Sequence, residues 1–595
     1  MLMSTHEMRL EALRRQLKVK ALDGFVVPIS DPHMSEYVGD YAERLKWLTG
    51  FGGSAGIVVV LADKAAIFVD GRYTVQVRDQ VDSRLFDPVA IADTSVAEWL
   101  DANAPEGAVL GHDAWLHSKP WASRVRKAME KRGGTLIAVT ENPVDAVWED
   151  RPALPSAPLE IHELAYAGQS AADKRGRIAE WLNAQGLDAT VMVALDSVAW
   201  TFNIRGRDID HIPVALAYSI IRADGGATLF ADQAKLSDAI RAHLGGDVDV
   251  RPYENFASAL SEMGGKQVAV DPDRSPAAIF DLLQQAGAAI REIRDPAVLM
   301  KAVKNEAEVA GARAAHLRDG AALTRFLHWI STQGVKGGQD ELSAAARLLE
   351  FRQATGCLRD LSFRTISATG PHGALPHYSV DEGSNIPIDP GQLYLVDSGG
   401  QYLDGTTDVT RVVAIGQPSG EMRRRYTQVL QGHIALSRAI FPKGTRGSQL
   451  DVLARQYLWA DGVDFAHGTG HGVGSYLSVH EGPQRISGAA GDEALQTGMI
   501  VSNEPGYYKE GAFGIRIENL VLVQPREVPG AECEMLGFET LTFAPLDRAL
   551  IDVALLALDD RTWVDAYHAE VLAKIGPLID GAAKDWLTKA CAPLE

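Results

Sequence analysis

Asp397, Asp408, His471, Glu504 and Glu518 follow one another in the C-terminal part of a 595-residue chain, in the strings YLVDSGG, TTDVTR, GTGHGVG, SNEPGYY and GIRIENL. Four carboxylates and one imidazole form a hard, oxygen-rich donor set. It suits Mn²⁺, Co²⁺, Mg²⁺ or Zn²⁺ rather than copper or an iron–sulfur cluster. Five donors exceed the needs of one catalytic ion and suit two ions sharing bridging carboxylates, an arrangement that activates water for hydrolysis. Taken singly, each residue has a plainer reading. An Asp at a strand end caps a turn, and an Arg-x-Glu pair such as Arg516 and Glu518 is a solvated ion pair of small worth. Yet Glu518 is flanked by Ile515, Ile517 and Leu520, so its strand is expected to be buried. A buried carboxylate needs a partner, an ion or a proton. The joint occurrence carries the reading.

The elements that must position these residues can be drawn from the same strings. Gln392–Asp397 and Val409–Ile415 are apolar, β-prone runs, and SGGQYLDGTT between them is turn-rich. They are expected to pair as a hairpin, with Asp397 ending one strand and Asp408 opening the next. Glu504 follows strand-like Met499–Val501 and precedes Pro505-Gly506, so a turn is expected just after it. Phe513–Val523 reads as one strand, on which Arg516 and Glu518 share a face. His467 and His471 are spaced for a helix, but GTGHGVG is too glycine-rich for one. A glycine-rich loop or β-bridge is expected there.

These strings, VDSGGQYLDGTTDVTR, HGTGHGVGSYLSVHEGP, MIVSNEPGYY and FGIRIEN, closely resemble the M24 metallopeptidases of "pita-bread" fold, and within them the three-domain Xaa-Pro aminopeptidases. The resemblance runs through FVVPISDPHMSEYV, LTGFGGSAG and VDGRYTVQ, then ALDSVAWTFNIRGRDI, then KAVKNEAEVAGARAAH and DLSFRTISATGPHGALPHYS. It implies that Asp397 chelates one ion, Asp408 and Glu518 bridge both, and His471 and Glu504 complete one site. It also implies that His377, His467 and His480 support the site or contact substrate, and that Arg516 supports the metal-bridging carboxylates. The resemblance alone implies a homodimer.

Bulk properties agree. The length suggests about three domains, expected at 1–158, 159–300 and 301–595. Formal charge is −20, with acidic residues dispersed, which argues against nucleic acid or an anionic membrane as partner. Three cysteines without a CxxC fit a reducing compartment. The start, MLMSTHEMRLEALRRQLKVK, has no apolar signal region, and no run of about 18 apolar residues exists. A cytoplasmic protein is expected. MRLEALRRQL before LDGFVV matches RGRIAEWLNAQG before LDATVMVAL, and IVVVLADKAAIFVD parallels YSIIRADGGATLFAD. Two related α/β domains with mixed sheets are therefore expected, separated by proline-rich DRPALPSAPLE and followed by a long helix after EIRDPAVLMKAVKNEAE. The fold class is α/β (α+β), two such domains before the catalytic one.

Other motifs carry less. GGSAG at Gly52–Gly56 has the spacing of a hydrolase nucleophile elbow, but a strand, IVVVL, follows where a helix is required. HELAY at His162 lacks the second histidine of a zinc helix. Asp31, His33 and Glu36, like Asp196, Trp200 and Arg205, are read as interface or loop residues, with shaping of a substrate entrance as the alternative.

The expected chemistry is hydrolysis of the N-terminal Xaa-Pro bond at a centre of two divalent ions, Mn²⁺ first, with Co²⁺ or Zn²⁺ as alternatives. Glu504 is the general base and then acid, and His480 donates a hydrogen bond to the scissile carbonyl. His377 and His467 position the proline-side backbone. Two other readings stay open: a prolidase confined to dipeptides, and a non-catalytic binding module on the same fold.

Overall fold

Phe25-Val26-Val27 and Val58-Val59-Val60-Leu61 are apolar at every position, the pattern of strands covered on both faces. In the computed structural model, which describes residues 4–489 and 493–594, that is what they are. Phe25, Val27, Val58, Val60 and Ile67 pack on Leu10, Leu13 and Leu17 of the helix Thr5–Val19. Val26, Val59, Leu61 and Phe68 pack on Trp99, Leu100, Val125 and Met129. That first helix begins with a reciprocal cap between Ser4 and Glu7.

The chain divides into two units, Met1–Glu163 with Gln169–Val298, and Leu164–Gly168 with Leu299–Glu595. The first unit holds two six-stranded mixed sheets with one topology. One runs Asp87–Ala90, Ala65–Val69, Ile57–Leu61, Gly24–Pro28, Val109–His112, Thr135–Ala138. The other runs Val248–Arg251, Ala227–Ala231, Ala217–Arg222, Ala189–Met192, Gln267–Val270, Ala289–Glu292. In each, neighbours pair parallel, antiparallel, antiparallel, parallel, parallel in that order. The internal repeat read in the sequence is thus a repeat of the whole sheet.

Of the residues of uncertain role in this unit, His33 ties the two repeats together, and the others bond within their own repeat. His33 Nδ1 donates to the Val193 carbonyl at 2.9 Å, and its Nε2 meets the Tyr253 hydroxyl at 2.8 Å. Asp31 accepts the His33 backbone N–H. Glu36 meets Ser54 and Arg72. Arg205 is buried and donates to the Ala199 and Ile204 carbonyls. Ser54 lies in a loop before the strand Ile57–Leu61, with its hydroxyl 2.8 Å from that of Tyr73, so no nucleophile elbow forms. His162 is buried ahead of the short helix Leu164–Ala167.

The second unit contains a 28-residue helix, Glu306–Gln333, capped reciprocally by Asn305 and Glu308. A shorter helix, Pro296–Ala302, precedes it. Sheets form the rest of the framework. Ile366–Thr369, Leu393–Ser398 and Val409–Ala414 make one, and a six-stranded sheet contains Asn519–Arg526, Ile500–Asn503, Gly470–Gly472 and Glu481–Ile486 in adjacent positions. Helices Gly420–Ser437 and Leu558–Ile575 pack on an apolar core that includes Leu395, Val412, Ile515 and Ile517. Among the described residues, no helix is long and apolar enough to cross a membrane.

Candidate metal centre

Two antiparallel ladders carry the carboxylates, and each is interrupted where they sit. In the first, Leu393–Ser398 pairs with Val409–Ala414, Asp397 opposite Thr410. The expected hairpin forms, with a second small hairpin, Gly400–Tyr402 with Gly405–Thr406, at its tip. Gly399 joins the two, and a Cβ there would stand 1.8 Å from the Thr407 carbonyl oxygen, so only glycine admits the approach. Asp397 is next to last in its strand, and Asp408 immediately precedes the returning one.

The second ladder departs from the sequence reading twice. The chain does not turn after Glu504. It runs from Ile500–Asn503 through Glu504-Pro505 into another strand, Gly506–Lys509. Nor is Phe513–Val523 one strand: Phe513–Arg516 and Asn519–Arg526 belong to different sheets, with Ile517 and Glu518 between them. The cause is local. Pro505 has no N–H to give to a ladder, and its carbonyl instead accepts the Ile517 N–H at 3.2 Å. Glu504 and Glu518 therefore face one another across the break, freed from regular pairing. His471 sits in the short strand Gly470–Gly472, beside a register shift, which is the β-bridge expected of GTGHGVG.

The candidate ligands are held by two sets of hydrogen bonds. His471 Nδ1 donates to the Gly472 carbonyl at 2.9 Å, which turns Nε2 inward. That nitrogen lies 3.5 Å from Asp408 Oδ2 and 3.4 Å from Glu504 Oε1. The Ser502 hydroxyl accepts the His471 backbone N–H and donates to Glu504 Oε1, both at 2.9 Å. Arg516 Nη2 donates to Asp397 Oδ2 at 2.7 Å, Nε to the Thr410 hydroxyl at 3.1 Å, and Nη1 to the Tyr508 hydroxyl at 2.6 Å. Thr410 in turn donates to Glu518 Oε2 at 2.7 Å. Asp408, His471 and Glu518 each place a donor atom within 4.8 Å of the others. Glu504 joins this trio through His471, and Asp397 through Arg516.

The histidines expected to meet substrate are placed differently. The His480 ring stacks edge-on to His471, centroids 4.3 Å apart. His467 Nε2 meets the Tyr508 hydroxyl at 2.8 Å, so it reaches the ligands through Tyr508 and Arg516. His377 is half-buried in the turn after the short helix Gly370–Ala374, which packs on Leu393–Ser398 and Phe513–Arg516. Thr410, Ser502 and Tyr508 were missed by sequence reasoning. The first two carry a signal, since each lies two residues from a candidate ligand, the spacing that keeps side chains on one side of an extended chain. Tyr508 carries none.

Does the site fit metal ions? Asp397 Oδ1 and Asp408 Oδ1 are buried without a hydrogen-bond partner. Buried carboxylate oxygens without partners are costly, and cations complete them. Burial, joined by the charges of Asp397 and Glu504, lifts Asp408 to about 7 against the pull of His471. Burial likewise raises Glu504 and Glu518. Burial alone would lower His471, but the Asp408 hydrogen bond and the Glu504 charge outweigh it and raise it to about 9. Carboxyls and an imidazole that cling to protons are what a crowded anionic site does without counter-charge, and divalent ions release those protons on binding. The donor set fits two ions.

Residues 310–525 match metallopeptidase family M24, 534–594 the C-terminal region of the same peptidases, and 9–147 and 150–308 each a creatinase/prolidase N-terminal domain. A probable Xaa-Pro aminopeptidase P from Laccaria bicolor is 41% identical over 603 residues, covering 98% of this chain and 93% of that protein. Aminopeptidase P2 from Arabidopsis thaliana is 40% identical over 616 residues, 96% of this chain and 86% of its own. The crystal structure of X-prolyl aminopeptidase from Caenorhabditis elegans, described as a cytosolic enzyme with a di-nuclear active site, superposes with a TM-score of 0.95 at 35% identity, covering all of both chains. The oxygen-rich ligand set and these end-to-end matches agree: the chain belongs to metallopeptidase family M24, with two creatinase/prolidase N-terminal domains ahead of the catalytic region.

Proposed function

We propose that this protein is a metal-dependent aminopeptidase that hydrolyses the N-terminal Xaa-Pro bond of peptides. The observation that carries the reading is the gathering of Asp408, His471 and Glu518 around one point, with Glu504 and Asp397 tied in beside them, in a chain that matches Xaa-Pro aminopeptidases over nearly its whole length.

Asp397, Asp408, His471, Glu504 and Glu518 are the residues that would hold two divalent ions. When bound, these supply a water acidic enough to attack near neutral pH and polarise the scissile carbonyl. The side chains do the rest. Glu504, steadied by Ser502, accepts the proton of the attacking water and passes it to the departing proline nitrogen. His480 donates a hydrogen bond to the carbonyl oxygen as charge builds there. Arg516 fixes Asp397 and, through Thr410, Glu518. His467, through Tyr508, and His377 orient the proline-side backbone. The donor chemistry favours Mn²⁺ over softer ions.

Proline accounts for the selectivity. Its amide has no N–H, and its ring holds φ near −65°. A site without an acceptor at that position leaves the N–H of any other residue unpaired. The penalty is about 1–3 kcal/mol, or roughly one to two powers of ten in rate. The test compares kcat/KM for Ala-Pro-Ala, Ala-Ala-Ala, N-acetyl-Ala-Pro-Ala and the dipeptide Ala-Pro. We expect release of the first alanine from Ala-Pro-Ala well above Ala-Ala-Ala, and no attack on the blocked peptide. Activity confined to Ala-Pro would make the protein a prolidase, and no cleavage of any would make it a binding module.

The reading extends to a three-part organisation at 1–158, 159–300 and 301–595, which the two N-terminal family spans support. It also extends to a cytoplasmic setting and a homodimer. A sedimenting mass of one 64.2 kDa chain would overturn the last.

A further inference from the structure

Next to His480 in the chain stands a buried cluster of charge. Glu481 opens the strand Glu481–Ile486. Its Oε2 accepts from Lys301 Nζ at 2.9 Å and its Oε1 from Lys304 Nζ at 2.5 Å. The three side chains are no more than 1% exposed. Lys304 Nζ also donates to the Lys301 carbonyl at 2.7 Å.

Such a cluster is a poor way to gain stability. Each ion must be stripped of water at several kcal/mol, and apolar packing of the same volume does as well or better. What two ammonium groups give that one does not is direction: each carboxylate oxygen has its own anchor, so the plane of the Glu481 carboxylate is fixed. The backbone there needs fixing. Glu481 pairs with Gly472, the residue after the ligand His471, just where the register shifts, so regular ladder bonds do not define its position. His480, one residue back, stacks on His471 and must meet a carbonyl oxygen to within a fraction of an ångström.

We infer that the Lys301–Glu481–Lys304 clamp is the device that positions His480 for catalysis, acting through the backbone rather than touching substrate. The inference rests on the aminopeptidase reading above. Its signature is a loss in kcat with KM and metal retained, because the clamp serves a contact made in the transition state and leaves the ligands alone.

The test measures kcat and KM on Ala-Pro-Ala, bound metal per chain and far-UV circular dichroism for the wild type, Glu481→Gln, Glu481→Asp and Lys304→Met. Glu481→Gln is expected to keep two ions and an unchanged KM while kcat falls about ten- to a hundredfold, the scale of a misplacement near 1 Å. Glu481→Asp keeps the charge with less reach and should recover part of that loss. Lys304→Met leaves a neutral pair and should lower kcat about three- to tenfold. If Glu481→Gln does not fold, Lys304→Met decides by the same criteria. A folded, two-ion variant with wild-type kcat overturns the clamp, as does a rise in KM alone. Loss of metal in step with kcat overturns it too, because Glu481 would then be supporting His471. If wild-type protein releases no alanine from Ala-Pro-Ala, the aminopeptidase reading fails and the clamp falls with it.

Discussion

Neighbouring residues do separable jobs in this site. Asp408 is nearly fully buried, and one of its oxygens has no hydrogen-bond donor, which leaves it open to a cation. Asp408→Ala should therefore remove metal and activity together, read by metal analysis beside a kinetic assay. His480 meets His471 ring to ring and is assigned to the substrate carbonyl rather than to the metal. His480→Ala should keep its metal and lose on the order of a hundredfold in kcat, the usual loss for one oxyanion donor. Wild-type kcat in that variant would remove His480 from the transition state, and loss of metal would make it a ligand. Arg516 differs again. Its three nitrogens go to three partners in fixed directions, which a lysine cannot reproduce. Arg516→Lys should weaken metal affinity through Asp397, despite conserving the charge.

Close backbone approach between the strands brings His471 and Glu504 together. A Cβ on Gly470 would lie 1.9 Å from the carbonyl oxygen of Ser502, and Ser502 is the residue whose hydroxyl joins His471 to Glu504. The obstacle is backbone, so it cannot be relieved by a rotamer change. Gly470→Ala must push the two strands apart, at about 1–3 kcal/mol or more by analogy with overpacking in a core. The damage falls on the ligand pair itself. The expected result is a lower melting temperature together with a marked drop in metal affinity. Wild-type affinity in a destabilised protein would show that the strands adjust without moving the ligands.

Across the molecule, metal binding and folding of the catalytic region are linked through protons. Without ions, Asp408 titrates near 7 instead of in the usual carboxylate range, and Glu504 and Glu518 are raised as well. A carboxyl whose folded pKa lies above its unfolded value stabilises the fold below the unfolded value, near 4, and loses that contribution as pH rises through the folded one. His471, raised to about 9, acts in the same direction at higher pH. Ions bound to the deprotonated ligands reverse the trend, since affinity grows as protons leave. Chelator-treated protein should thus melt further below metal-loaded protein at pH 8 than at pH 5. Two ions per chain, and activity restored by Mn²⁺ after chelation, complete the expectation. A gap that stays constant or narrows with pH would mean the carboxyls are not crowded as described.

The sequence by itself determined the ligand types, their order and the chemistry they can support, because donor hardness and charge are properties of the side chains alone. It determined the sheet repeat too, since Asp23 with Asp188 and Asp70 with Asp232 mark the same turns in two copies. It also determined the hairpin bearing Asp397 and Asp408, where apolar β-prone runs and turn residues are local signals. Only the tertiary structure decided that the strand through Arg516 breaks at Ile517 and Glu518, because the cause lies on another segment: Pro505, between two other strands and lacking an N–H, offers its carbonyl to Ile517. Tyr508 between His467 and Arg516, and Lys301 and Lys304 on Glu481, were equally out of reach. These partners are brought together by the fold from positions distant in the chain, and no periodicity or motif records a contact of that kind.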